Sequence, residues 1–412
     1  MPDANFYILI FAFFAVFAFG MVVGFRKYRS FMNPISFHMA FIFFLLNTLS
    51  IISTLQIRID KQGFAYHADF LLEHLITVGW ISVLSGLFFI APFIVLGKKS
   101  SIAIVESFFP RFLTVHSSVK PYWPHACILF VFVIICFSLL SYSSKVPYVW
   151  IFDPRTAYLY HRVGAGHFYL LTIYFLLFCF IAGLFLIRQR IFLIFVWTTI
   201  FTILSIWTGK KAVTICFLLI TVLYYHFYIR SIGSWALTLL AMFSTGAVML
   251  LVAGFGGHFD SEAVLAYFHY ADVPALMLAR FDEFGFYLGK VFLTSFWVLV
   301  PRALYPDKPF EYGDSLIHAV LFPGVAESGH TSGYFGWSGL YLDFGLPGVA
   351  FGALASGLLV KIVFEYFLYR CRSLIVFMAM IHFCFWPIWF FIPSIAVLLW
   401  LYLCNLFLRL RL

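Results

Sequence analysis

Five side chains in this sequence have the types and spacing to handle a phosphorylated lipid. Arg280, Arg302 and Lys308 lie within one polar stretch, residues 256–348, and Lys210-Lys211 forms a second basic pair upstream. A guanidinium grips phosphate oxygens in pairs, whereas an ammonium acts as a point charge. Such cations, gathered at the depth of a lipid headgroup, suit a polyprenyl diphosphate. In the same stretch His330 is placed to act as a general base. Asp343 sits about one turn inside an apolar helix, where a carboxylate is expensive unless it meets water or a partner. A plainer reading stands beside this one. Arg280 can pair locally with Asp282 or Glu283, Lys308 can pair with Asp307 or Glu311, and a lone loop histidine is commonly a bystander.

The elements that must position these groups follow from composition. The chain has 412 residues, of which 64% are hydrophobic, 22% aromatic and 10% charged. A soluble globule would carry roughly 25% charged residues. Apolar runs of about 17 to 25 residues recur, the length a helix needs to cross the hydrocarbon, so the fold class is an all-α polytopic membrane protein rather than a barrel. Stretch 256–348 stands apart from that body. It holds ten of the 17 acidic residues and four of the 26 Lys and Arg, a formal charge of −6 within a chain of net charge +9.

Basic clusters orient the spans. Arg26-Lys27-Tyr28-Arg29, Gly97-Lys98-Lys99, Arg188-Gln189-Arg190, Arg230 and Arg370-Cys371-Arg372 all fall at ends that alternate toward one side. The expectation is about 11 transmembrane helices, with the amino terminus periplasmic and the carboxy terminus cytoplasmic. The domains are then 1–255 (helices 1–8), 256–339 (one large external loop) and 340–412 (helices 9–11). Only Lys210-Lys211, between spans 191–207 and 212–230, falls on the side where basic pairs are unfavourable. Within the loop, the apolar run at 291–300 is too short to cross, so it reads as a re-entrant or interfacial helix ended by Pro301. Intramembrane charges are read as sparse.

Several function classes drop out. The net positive charge is what helix ends facing anionic lipid require, so it does not point to nucleic acid. The seven cysteines form no C-x-x-C pair and none lies in the acidic stretch, which argues against a disulfide framework or a thiolate metal site. His258, Asp260, His269 and Asp272 have metal-capable types without diagnostic spacing, so no metal is expected. Thr208-Gly209-Lys210-Lys211 lacks the spacing of a phosphate-binding nucleotide loop, and no cofactor motif is present.

The run Arg280-Phe281-Asp282-Glu283, followed after the short apolar segment by Val300-Pro301-Arg302-Ala303-Leu304-Tyr305-Pro306-Asp307-Lys308-Pro309, resembles the signature of bacterial oligosaccharide repeat-unit polymerases, the Wzy-type O-antigen polymerases. His330-Thr331-Ser332 and then Leu342-Asp343-Phe344-Gly345-Leu346-Pro347-Gly348 are similar to the loop-to-helix passage these proteins share with O-antigen ligases. The chain departs from the family where Lys210-Lys211 stands in place of an arginine.

The resemblance implies a metal-independent, inverting glycosyltransferase in the bacterial inner membrane, without a cofactor. The donor would be a growing glycan on undecaprenyl diphosphate and the acceptor a new lipid-linked repeat unit. It implies that Arg280, Arg302, Lys308, Lys210 and Lys211 hold diphosphate. His330 leads as base, with Asp282, Glu283 and Asp343 behind it. Tyr305, Tyr312, Tyr334 and Trp337 would stack on sugars, though interfacial anchoring is the alternative. A chain-length regulator protein is an expected partner. The rival readings are an O-antigen ligase and a lipid-linked oligosaccharide flippase or other transporter.

Overall fold

A computed structural model of the chain describes residues 4–48, 50–51, 68–108, 123–161, 165–233, 236, 271–300, 304–309, 311–313, 315–322, 336–385 and 391–410. Among them every regular element is helical. In chain order these are α1 (Ala4–Tyr28), α2 (Pro34–Phe37, continued as a π-helix over His38–Thr48), α3 (Ala68–Val95), α4 (Lys98–Phe108), α5 (Trp123–Ser143), α6 (Pro147–Phe152), α7 (Pro154–Tyr160), α8 (Gly166–Ile187), α9 (Ile191–Ile206) and α10 (Lys211–Tyr224, with a π turn over Tyr225–Ile229). Then follow α11 (Asp272–Ala279), α12 (Phe281–Phe284), α13 (Lys290–Thr294, with a 3₁₀ turn over Ser295–Leu299), α14 (Ser315–Leu321), α15 (Ser338–Tyr369), α16 (Leu374–Met380, with a π turn over Ile381–Phe385) and α17 (Phe391–Arg409).

Six helices among the described residues are long and apolar enough to cross a membrane: Ala4–Tyr28, Glu73–Val95, Trp123–Ser143, Gly166–Ile187, Ala212–Ile229 and Ser338–Tyr369. Shorter apolar helices occupy Ile191–Ile206, Leu374–Phe385 and Val397–Arg409. The chain is a helical polytopic membrane protein. Residues 235–255, the end of the stretch expected to hold helices 1–8, lie almost wholly outside the described residues.

α15 is the central element, packed on α3 along its length and flanked by α4, α13 and α16. A second pair, α5 with α8, extends the bundle, and α10 and α9 close against it. Aromatic rings fill the contacts, as where Tyr28 of α1 meets Phe364 of α15 edge-on at 5.1 Å.

The hydrogen bonds sort the helix ends into two groups. Lys27 donates to Phe93 O at 2.5 Å, Arg370 pairs with Glu106 at 3.0 Å, and the Lys98 ammonium lies 3.4 Å from the Tyr369 ring centre. Tyr228 donates to Arg372 O at 3.0 Å and Tyr224 to Arg188 O at 3.5 Å. The clusters at Arg26-Lys27, Lys98, Arg188 and Arg370-Arg372 therefore gather at one end of the bundle. The amino-terminal end of α10 therefore points to the other, as does the start of the long α15 segment that follows Gly345.

At the basic end lies a network that corrects the expectation of few intramembrane charges. Lys361 and Glu365, one helical turn apart on α15, are fully buried and their side chains meet at 2.6 Å. The Lys361 ammonium also donates to Ser101 Oγ. Tyr28 donates to Glu365 at 3.1 Å, and Lys27 approaches the same carboxylate at 3.5 Å. α1, α4 and α15 are thus tied together by a polar knot. Its i, i+4 spacing was visible in the sequence; its partners on other helices were not.

Candidate active site on a broken helix

The site is built on the first turns of α15. Pro347 has no N–H to continue the helix, and its ring disfavours helical geometry at the residue before it. The backbone breaks two residues earlier, at Gly345, with φ 64° and ψ −153°, a conformation that glycine adopts without a steric penalty. The break frees carbonyls at the end of the first segment. One of them, Leu342 O, accepts the Tyr287 N–H at 2.9 Å.

The chain between α12 and α13 is shaped to reach that break. Gly285, Leu288 and Gly289 all have positive φ, at 61°, 48° and 92°. The tight turn delivers the start of α13 to Asp343, which is 1% exposed. Its two oxygens accept the N–H groups of Val291 at 3.0 Å and Phe292 at 2.7 Å. The first amides of any helix lack partners within it, and a carboxylate there also meets the positive end of the helix dipole. This is the partner that a carboxylate so placed in the sequence had to have.

The segment that the sequence marked as a short non-spanning helix is α13 and its 3₁₀ continuation. It carries a relay to the cations. Thr294 Oγ1 accepts the Gly313 N–H at 2.8 Å, and Ser315 Oγ accepts the Tyr312 N–H at 2.7 Å. Tyr312 lies under Lys308, whose ammonium is 4.4 Å from the ring centre and donates to Val300 O at 3.0 Å. Lys308 is held against the chain, 8% exposed. Tyr305 is half exposed and stacks on Trp297, with centroids 5.4 Å apart and planes at 25°.

On the other flank, buried residues of α11 pack against α3, which brings Arg280 to the junction of α11 and α12. Arg280 grips both oxygens of Glu283, its Nε donating to Oε1 at 2.6 Å. The guanidinium holds the Glu283 carboxyl below the usual range. Whatever stability this pair adds is present above the unfolded carboxylate range and is lost as pH falls through the lowered value; both groups are solvated, so it is small. The local pairing weighed from sequence is therefore present. Asp282 is exposed beside it. Phe281 anchors the junction, with its ring 5.0 Å from Phe286 and 6.0 Å from Tyr341 of α15.

Trp337 stands just before α15 with 1% exposure, and its indole N–H donates to Ser82 of α3 at 3.1 Å. It fixes the start of the platform, leaving Tyr305 and Tyr312 as the described candidates for sugar contact. Lys210 caps α10 at a turn where Gly209 has φ 64°. A Cβ on Gly209 would lie 2.1 Å from Pro154 O, so this turn packs on α7, and Tyr169 seals it by donating to Thr208 O at 3.1 Å. The basic pair is therefore at the end opposite the other clusters, as helix alternation requires. Lys211 opens α10 beside it. Arg302, His330 and Tyr334 lie outside the described residues.

Two groups thus attach to α15: Arg280, Asp282 and Glu283 through Phe281, and Lys308, Tyr305 and Tyr312 through α13, which Asp343 holds. Comparison with known proteins bears on the same chain. No family model and no solved structure matches it. Over 226 residues it is 26% identical to the "O-antigen polymerase" of Salmonella typhimurium (strain LT2) and, to the same degree, to the "O-antigen polymerase" of Salmonella typhi, covering 53% of this chain and 55% of each relative. The chain spans about half the length of the curated relatives it matches. This likeness supports the resemblance that the arginine and proline pattern carries: the chain is similar to Wzy-type O-antigen polymerases.

Proposed function

We propose that the protein is a polysaccharide polymerase that joins undecaprenyl-diphosphate-linked repeat units on the periplasmic face of the inner membrane, in about eleven spans with a cytoplasmic carboxy terminus. The observation that carries the reading is the attachment of both cationic segments, around Arg280 and around Lys308, to one broken helix at the end of the bundle opposite its basic clusters. The likeness to O-antigen polymerases supports it.

In the proposed reaction a hydroxyl of the acceptor repeat unit attacks the anomeric carbon of the donor glycan. The glycosyl–phosphate bond breaks with inversion, and undecaprenyl diphosphate leaves with the bonding pair. Arg280, Arg302 and Lys308 stabilise the diphosphate, with Lys210 and Lys211 facing the same side. The hydroxyl proton passes to a base, for which His330 leads and Asp282 follows; Glu283 is engaged by Arg280. Tyr305 and Tyr312 offer faces for sugar rings, and Tyr334 belongs to the same set. No metal and no nucleotide sugar enter this scheme, and a chain-length regulator would act on the assembled enzyme.

Deleting the gene tests the reading in a cell that makes O-antigen. The expected banding is core carrying single repeat units. A bare core would point to a ligase, and unextended lipid-linked units retained on the cytoplasmic side would point to a flippase.

A further inference from the structure

We propose that Asp343 is a positioning residue for the polymerase site, a latch that sets the α13 segment and through it Lys308, and that it is not the reaction's base. The kinetic part of this inference rests on the polymerase reading above; the structural part does not.

A base must present a lone pair to the acceptor hydroxyl. Asp343 is 1% exposed and both its oxygens are committed to backbone N–H groups, those of Val291 and Phe292. Its reach is instead inward. α13 holds Gly313 through Thr294, the Gly313 turn holds Tyr312, and the Tyr312 ring lies under the Lys308 ammonium. The Tyr287 N–H bound to Leu342 O fastens the other side of the same turn, next to the Gly345 break. One carboxylate at the break therefore determines where a cation 35 residues earlier in the chain comes to rest.

An asparagine at 343 has one acceptor oxygen and presents N–H donors where the second oxygen was. One of the two α13 amides then faces a donor, and the segment loosens. Lys308 is kept in this variant and only displaced, and the charge it meets on the diphosphate exists before the reaction as well as during it. The main loss is therefore in binding common to ground and transition states, unlike outright removal of a donor. Such a loss appears in KM rather than kcat.

The test uses full-length protein in lipid nanodiscs. Hydrogen exchange is followed in peptides covering 290–294, and chain extension is followed with lipid-linked repeat units. For Asp343→Asn we expect exchange in 290–294 to rise at least tenfold, KM for the lipid-linked donor to rise about tenfold, kcat to stay within about threefold, and the pH profile to keep its shape. A kcat loss of a hundredfold or more, with the acidic limb of the pH profile altered and exchange unchanged, would make Asp343 the base and overturn the proposal. Should the variant fail to insert, the wild-type protein decides: the Val291 and Phe292 amides must be protected, and rapid exchange there refutes the latch. A protein that extends no lipid-linked unit defeats the polymerase reading while the exchange result still judges the latch.

Discussion

Replacing Glu365 with alanine is expected to destabilise the protein by about 3–5 kcal/mol, the range for removing one partner of a buried ion pair. Its carboxylate is 1% exposed and receives Lys361 at 2.6 Å and Tyr28 at 3.1 Å, with Lys27 at 3.5 Å. Without it, two ammonium groups remain near each other with no counter-charge. The carbonyls at the end of α3 that Lys27 reaches, Phe93 O and, just past the helix, Leu96 O, compensate one of them only in part. Replacing the pair together, Glu365→Leu with Lys361→Met, removes both charges and is expected to recover most of the loss, because well-packed apolar groups often equal a buried ion pair. Thermal unfolding of the purified variants in detergent measures both. A single variant within about 1 kcal/mol of wild type would show that the knot is not a stability element.

Arg280→Ala and Arg302→Ala are each expected to lower the rate of chain extension by about 10²–10³, the usual effect of removing one donor from a developing anion. Arg280 is already ordered: both its bonding nitrogens point at Glu283, and Phe281 pins the turn to α15. Exchanging the Glu283 carboxylate for a lipid diphosphate keeps the same two-pronged geometry, so lysine is not expected to substitute for it. The Arg280 pair with Glu283 is solvated and contributes little to folding, so Arg280→Ala is expected to insert and melt like wild type. Extension rates of purified Arg280→Ala and Arg302→Ala proteins, beside their melting curves, check this. Normal polymerisation by both would remove the diphosphate clamp from the account.

The sequence foretold the helices where apolar length was decisive. The apolar run at 126–142 is α5, Trp123–Ser143, and the span expected at 191–207, after Arg188-Gln189-Arg190, is α9, Ile191–Ile206. The anomalous side of Lys210-Lys211 followed from alternation alone, and the packing of Gly209 on Pro154 gives it a physical place. Asp343, in an apolar helix, is a carboxylate in need of a partner on sequence grounds alone. That the partner is a pair of amides 51 and 52 residues away in sequence depends on a helix break and three left-handed turn residues, which no single-residue pattern encodes. Residue type makes Trp337 a candidate for sugar contact; its burial against Ser82 is a tertiary fact. Lys361 and Glu365 stand one turn apart in the sequence, but what permits them in the membrane is a set of partners on α1 and α4, which spacing does not encode.

The central claim is that this chain itself forms glycosidic bonds between lipid-linked repeat units. Purified protein in liposomes, given only undecaprenyl-diphosphate-linked repeat units, with chelator present and nucleotide sugar absent, tests it most directly. The account predicts a ladder of lipid-linked glycans lengthening by one repeat unit at a time, with undecaprenyl diphosphate released for each bond formed. Substrate that stays at one repeat unit, with protein correctly inserted, would contradict it.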